Sequence, residues 1–219
     1  MRIKGVFYIF ISIPFILGFG YLRAVEDFKT QSISPDTKPG LISELKSLRL
    51  EYEDWMLRSE FSSKLEMLLR GADNSLYHNP EKLARLIISA SEEHKIDPVL
   101  ILAVIKTESN FQRFAVSHKG AVGLMQLLPP TASYVADKAN VAYYNEGNLY
   151  DSKKNIALGT YYLAKLLDKF GNIRLALEAY NRGPSSISRD LKRKKKIKYY
   201  YADRVLRHYK EYSNAIISL

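Results

Sequence analysis

Apolar positions return at helical spacing along most of the chain and alternate almost nowhere. From Leu41 to about Arg70, the residues Leu41, Leu45, Leu48, Tyr52, Trp55 and then Phe61, Leu65 and Leu68 recur every three or four positions except for the gap from Trp55 to Phe61, with charges between them. That predicts a long amphipathic helix, either a stalk or an element packed on the rest, with Gly71 suited to its C-terminal cap. Asn79-Pro80 has the form of an N-cap followed by Pro in the first turn, ahead of a stripe made by Leu83, Leu86, Ile87 and Ala90. Asp97-Pro98 repeats that start signal before "VLILAVI" at 99–105. The run alone suits a buried strand as well, but its start signal and its helical neighbours favour a helix. Asp151 precedes a further helix carrying Ile156, Tyr161, Leu163 and Leu167, closed near Gly171. Ile173 to Tyr180 reads as the next and Tyr200 to Tyr212 as the last. The predicted class is all-α.

The N-terminal segment is different in kind. Two basic residues, Arg2 and Lys4, precede an almost unbroken apolar stretch from Gly5 to Leu22, the length of a short membrane span or a long signal-peptide core. No Ala-x-Ala site follows, which favours an uncleaved anchor, and the early basic residues direct the rest of the chain outward. "QSISPDTKPG" at 31–40 reads as a turn-rich linker. The expected organisation is an anchor or signal at 1–23, a linker and amphipathic helix at 24–76, and a main domain at 77–219.

With 219 residues the chain has room for one ordinary domain and an appendage. Sixteen Tyr against one Trp suit half-polar surfaces that stack on a wet ligand. The net charge of +10 favours an anionic partner, and "RDLKRKKKIK" at 189–198 holds seven basic residues and one acid. Such a run is either a solvated face or a dock for a polyanion. The absence of cysteine excludes disulfides, Cys-based zinc sites and thiol nucleophiles. The four His show no metal-ligand spacing, so no metal or other cofactor is expected.

On a helix starting at Pro98, Ile101, Ile105 and Glu108 share one face. Burial there would keep the carboxyl protonated near neutral pH, which is what a general acid at a glycosidic oxygen requires. Taken singly, Glu108 reads first as a helix-end acid that faces solvent or pairs with a base. Its company changes the weighing. "SHKGAVGLMQLLPPTA" at 117–132 sets Gly120, Gly123, Met125 and Gln126 between polar turns and a Pro pair. The glycines admit a close backbone approach, and a Gln side chain matches the donor and acceptor of an acetamido group. "EAYNRGP" at 178–184 places Tyr180 and Asn181 at a helix end before a turn.

In this order the segments resemble the lytic transglycosylase catalytic domain of the soluble type, a relative of goose-type lysozyme. The matching pieces are "ESNF" at 108–111, "GAVGLMQLLPPTA" at 120–132, "NLYDSKKNIALGTYYL" at 148–163, "AYNRGP" at 179–184 and "YADRVL" at 201–206. The resemblance covers roughly residues 78–212 and implies a lysozyme-like helical fold. It implies Glu108 as catalytic acid and base, with Ser109 beside it, Met125 and Gln126 lining a glycan cleft, Tyr180 and Asn181 bordering the acetamido sugar, and Tyr201 near the acid. Two positions depart from the pattern: Arg182 stands where the family usually has a small residue, and Ser152 where a Pro often follows the Asp.

The implied substrate is the peptidoglycan glycan strand, cleaved between N-acetylmuramic acid and N-acetylglucosamine with a 1,6-anhydro end. Between Asp97 and Asp137, Glu108 is the sole acid, which agrees with a one-carboxylate mechanism unless Asp151 or Glu178 folds close. A hydrolytic muramidase on the same fold and a non-catalytic, membrane-anchored adaptor are the rival readings. The expected setting is the cell envelope, outside the cytoplasmic membrane, with contact to the membrane through residues 5–22 and to envelope proteins through residues 41–70. Nucleic acid ranks last, since an exported chain would rarely meet it.

Overall fold

Capping chemistry sets where most of the helices begin. The computed structural model describes residues 39–71 and 79–219, so the expected anchor at 1–23 and most of the linker lie outside the described residues. Helix α1 spans Pro39–Gly71, α2 Pro80–His94, α3 Pro98–Ser109 and α4 Pro129–Ala136. A 3-10 turn at Glu146–Tyr150 leads to α5 at Ser152–Phe170, α6 at Ile173–Arg182, α7 at Pro184–Lys192 and α8 at Tyr200–Ser218. Among the described residues there is no strand, only isolated bridges pairing Val122 with Val116 and with Leu127. The class is all-α, as the spacing predicts.

The start signals at Asn79, Asp97 and Asp151 act as the sequence predicts, and Asn172 adds a further cap. The Asn79 side chain accepts from the Lys82 amide at 2.8 Å, and that of Asp97 from the Val99 amide at 2.8 Å. Asp151 accepts from the Lys154 amide at 3.0 Å and Asn172 from the Leu175 amide at 3.1 Å. Each of these bonds satisfies a donor that the first helical turn leaves over. Helix α3 ends where Asn110 and Phe111 both take positive φ, at 50° and 65°.

Two compact units divide the chain, Met1–Trp55 and Met56–Leu219. In the first, the described part of α1 exposes Leu48, Leu50 and Trp55. In the second, α1 contributes Leu65 and Leu69 to the core, so the buried cluster reaches back beyond residue 77. Helix α3 is the centre of that unit. Every residue from Val99 to Ile105 is buried, each large side chain contributing roughly 1.5–3 kcal/mol of transfer free energy. It packs along α8 and α2, while α6 lies against α5, α7 and α8. The Tyr209 hydroxyl of α8 donates to the second oxygen of Asp97 at 2.6 Å, tying the start of α3 to α8. A groove of about 480 Å³, lined by Leu57, Phe61, Ile88, Pro98 and Ile216 among others, opens at the end of α3 opposite Glu108. No helix of the described residues is long and apolar enough to cross a membrane.

Candidate active site

Helix α3 carries Glu108 out of the core on its last turn. Around it the short polar side chains turn back on their own helix. Thr107 Oγ1 donates to the Ala103 carbonyl at 2.8 Å, and Ser109 Oγ to that of Ile105 at 3.1 Å. Glu108 is left half-buried, with Oε1 accepting from the Tyr201 hydroxyl at 2.6 Å. Burial raises its pKa, while the Tyr201 hydrogen bond and the Arg204 guanidinium lower it; burial wins, and the value stands at about 7. Near neutral pH the carboxyl is therefore poised between its two states. Tyr201 is itself buried, and that burial, together with the Glu108 charge, pushes its hydroxyl well above the usual phenol range, so it remains a donor.

This balance gives a direct test. In Tyr201→Phe the hydrogen bond that favours the ionised form is gone, so the Glu108 pKa should rise above about 7. Carboxyl titration by NMR on glutamate-labelled protein reads the shift, and a downward movement would show that the hydroxyl is not the stabilising donor.

Tyr201 is held by a second acid at its other end. Glu178 on α6 is 3% exposed, and Oε1 accepts the amides of Tyr201 at 2.9 Å and Ala202 at 3.1 Å. It therefore caps the N-terminus of α8 from a neighbouring helix, where a carboxylate meets both free donors and the positive end of the helix. Glu178 sits at the backbone of Tyr201 and Glu108 at its hydroxyl.

The segment 115–127 folds into a tight loop beside them. The Gly123 amide donates to the Ala115 carbonyl at 2.9 Å, and the amides of Val122 and Leu127 exchange bonds at 2.9 and 3.1 Å. Asn155 of α5, fully buried, clamps it from within. Its Oδ1 accepts the Met125 amide at 2.8 Å, and Nδ2 donates to the carbonyls of Val122 at 2.9 Å and Leu149 at 3.0 Å. Gly123 has φ +82°, and a Cβ there would fall 2.5 Å from the Leu149 carbonyl oxygen, so only glycine fits. Tyr180 of α6 donates its hydroxyl to the Met125 carbonyl at 2.9 Å, its ring 5.4 Å from that of Tyr162. The loop, α6 and α8 thus converge around the end of α3.

The family model described as the transglycosylase SLT domain matches residues 85–202, more than half of the chain and the whole stretch from Glu108 to Tyr201. The chain belongs to the transglycosylase SLT domain family. Relatives of this SLT domain include the membrane-bound lytic murein transglycosylase C of Edwardsiella ictaluri, 36% identical over 126 residues, covering 53% of this chain and 35% of the relative. The protein of the same name from Sodalis glossinidius is 33% identical over 155 residues, covering 66% of this chain and 42% of the relative. The transglycosylase of Enterobacteria phage PRD1 is 37% identical over 95 residues, covering 43% of this chain and 32% of the relative. The chain thus spans less than half the length of these curated relatives. Among solved structures, the inactive mutant of the lytic transglycosylase Slt from Pseudomonas aeruginosa aligns at 26% identity and a TM-score of 0.48, covering 65% of this chain and 22% of that one.

The SLT domain distributes the expected site residues unevenly. Glu108 and Tyr201 are joined by their hydrogen bond, and Tyr180, held on the Met125 carbonyl, lies close enough that burial and the Glu108 charge push its hydroxyl well above the usual phenol range. Asn181 is exposed at the end of α6. Ser109 is only 6% exposed and its hydroxyl is spent on Ile105. For Met125 the expectation needs correcting: its side chain is 0% exposed and does not line a cleft. The reason is Gly159, where a Cβ would lie 2.5 Å from the Met125 sulfur; the missing side chain lets Met125 turn inward. Gln126 has φ 48° and is half-buried. Its Nε2 donates to the carbonyls of Ala115 at 3.0 Å and Gly123 at 2.9 Å, so its amide nitrogen shapes the loop and only its carbonyl end remains for a ligand. Of the two unusual positions, Arg182 reaches Asp190 at 2.5 Å, and Ser152 is buried with an Oγ that finds no partner.

Asn155 and Glu178 are the positions that sequence reasoning left without these roles. The signal at Glu178 was an acid inside an apolar run, between Leu177 and Ala179, whereas Asn155 follows Lys153 and Lys154 and reads as one more polar residue of the first helical turn.

Proposed function

We propose that this SLT domain, with residues 77–219 as its catalytic part, is a peptidoglycan lytic transglycosylase. It acts on the β-1,4 bond between N-acetylmuramic acid and N-acetylglucosamine and leaves a 1,6-anhydro end. The observation that carries the reading is Glu108, half-buried with a pKa of about 7 and hydrogen-bonded to Tyr201 at 2.6 Å. A carboxyl of that pKa serves as acid and then as base at the same pH. Protonated Glu108 gives its proton to the glycosidic oxygen, the bond from that oxygen to C1 breaks, and N-acetylglucosamine leaves with a new hydroxyl. The Glu108 carboxylate then takes the proton of the muramic C6 hydroxyl as its oxygen bonds to C1. The carboxyl ends protonated, as it began, and no water is consumed. Asn181 and the Gln126 carbonyl are the groups assigned to the sugar, with Ser109 and Tyr180 as supports and Tyr201 aligning the acid.

A hydrolase of the usual kind needs a second carboxyl at the scissile bond. The two acids that could have supplied one are both engaged as helix caps, Asp151 on α5 and Glu178 on α8. Relatives named membrane-bound lytic murein transglycosylases support placing the protein at the cell envelope, with residues 5–22 as its contact with the membrane.

The deciding experiment is mass spectrometry of the fragments released from purified peptidoglycan. Anhydro ends, one water lighter than reducing ends, are expected. Reducing ends would make the protein a muramidase, and a lack of soluble fragments after long incubation would make it a binding protein.

A further inference from the structure

Arg204 lies one turn along α8 from Tyr201 and on the same face, with its guanidinium carbon 5.7 Å from the centre of the Tyr201 ring. Glu178 fixes the start of α8 at the amides of Tyr201 and Ala202, and the Tyr201 hydroxyl holds Glu108, so the three side chains form an ordered cluster. No acid of its own helix neutralises the cation. Three and four positions away on α8 stand Tyr200, Tyr201, Arg207 and His208, and the adjacent Asp203 pairs with Arg174. Arg204 itself forms no ion pair among the described residues. The groups that act on Glu108 are Tyr201 and Arg204 from α8, while Tyr180 of α6 feels its charge in return. Neither α2, the other helix packed along α3, nor the loop at 115–127 supplies one. Arg204 is thus the one cation among the described residues that bears on the acid, and a guanidinium stays charged at any pH the reaction meets. It lowers the Glu108 pKa against the burial that raises it.

We infer that Arg204 is a positioning residue for the first proton transfer: its guanidinium, set beside Tyr201, stabilises the Glu108 carboxylate that forms as the glycosidic oxygen takes the proton. The inference rests on the lytic transglycosylase reading and deepens it. In that reaction Glu108 is charged only in the interval between giving its proton to the glycosidic oxygen and taking that of the muramic C6 hydroxyl. Tyr201 offers the carboxylate a hydrogen bond, and Arg204 offers the charge that a phenol lacks. No bond to Arg204 forms or breaks, and its own protons stay in place. The same field weakens the carboxylate as a base, so the help goes to breaking the glycosidic bond and not to closing the anhydro ring.

The test compares Arg204→Gln and Arg204→Lys in the full chain. Arg204 is exposed, so both variants should fold; Gln removes the charge and Lys keeps it. Carboxyl titration by NMR, without substrate, should find the Glu108 pKa above about 7 in the Gln variant and close to the wild-type value in the Lys variant. On purified peptidoglycan the kcat of the Gln variant should fall roughly two- to fivefold, the contribution of an exposed ion pair, with KM unchanged. Its alkaline limb should move to higher pH, because the carboxyl now keeps its proton longer, and Lys should restore both. Salt at about 1 M, where screening acts within about 3 Å, should move the wild-type carboxyl in the same direction and leave the Gln variant nearly still. An unmoved carboxyl in the Gln variant, or a kcat that rises, would overturn the inference. So would a raised KM with an unshifted pH profile, the mark of a cation that binds substrate instead. If the wild type releases no product, the parent reading fails and this role with it; normal wild-type cleavage with an unmoved carboxyl in the Gln variant removes this one alone.

Discussion

Glu108→Gln should cut turnover by ~10²–10⁴-fold, the usual contribution of a positioned acid and base, while the KM for glycan strands changes little. Gln keeps the volume and the carbonyl that accepts from Tyr201, so the end of α3 and its contact with α8 persist. What it lacks is a transferable proton. The same variant should be more heat-stable than the wild type at pH 8. The native carboxyl has its pKa raised from 4.5 to about 7, so the folded state holds the proton more tightly than the unfolded chain. Stability of the wild type therefore falls as pH rises through that window, and above about 7 the loss is complete. Gln does not ionise and escapes it. Calorimetry at pH 5 and pH 8 checks this: the gap between variant and wild type should open only at the higher pH. Wild-type turnover in the Gln variant would remove Glu108 from the mechanism.

Glu178→Ala should be the most damaging single change away from Glu108. The carboxylate is buried and accepts two backbone amides, of Tyr201 and Ala202. Hydrogen bonds to a charged group contribute about 1.5–3 kcal/mol each, so the loss of stability should be roughly 3 kcal/mol or more, read as a lower denaturation midpoint. Glu178→Gln can still accept with its carbonyl oxygen and should lose less. The change should also reach Glu108, since the freed first turn of α8 carries the Tyr201 hydroxyl. Well below its melting temperature, the Ala variant should therefore show the Glu108 pKa moved upward, in the same direction as Tyr201→Phe. A destabilised variant with an unmoved carboxyl would confine Glu178 to structure.

These long-range ties mark where the sequence stops being readable. The starts of α2, α3 and α5 are local: Asn79, Asp97 and Asp151 each cap an amide two or three residues on, and the residues alone say so. The starts of α4 and α7 also carry Pro in the first turn, at Pro129 and Pro184, yet Leu128 and Gly183 make no side-chain cap. With half the signal missing, the first looks like a Pro pair between turns and the second like a Gly-Pro turn. The spacing ends the last helix at Tyr212, whereas α8 runs to Ser218. Glu108 was legible because an apolar run leads into it. Asn155 and Glu178 were not, because their partners lie about thirty and twenty-three positions away and no periodicity encodes such a meeting. The inward turn of Met125 depends on an absent side chain at Gly159, which spacing registers only as one more small residue.

That hollow at Gly159 has a consequence for how the site can change over time or in the hands of an engineer. The loop at 115–127 is fastened from its inner side, by Asn155 on the Met125 amide, by Tyr180 on its carbonyl and by the methionine sulfur seated on α5. Its outer residues Val116, His118 and Lys119 are exposed and help to hold none of those three points. The outer rim is thus an exchangeable part: its chemistry can be rewritten to suit a different ligand while the acid on α3 stays where it is.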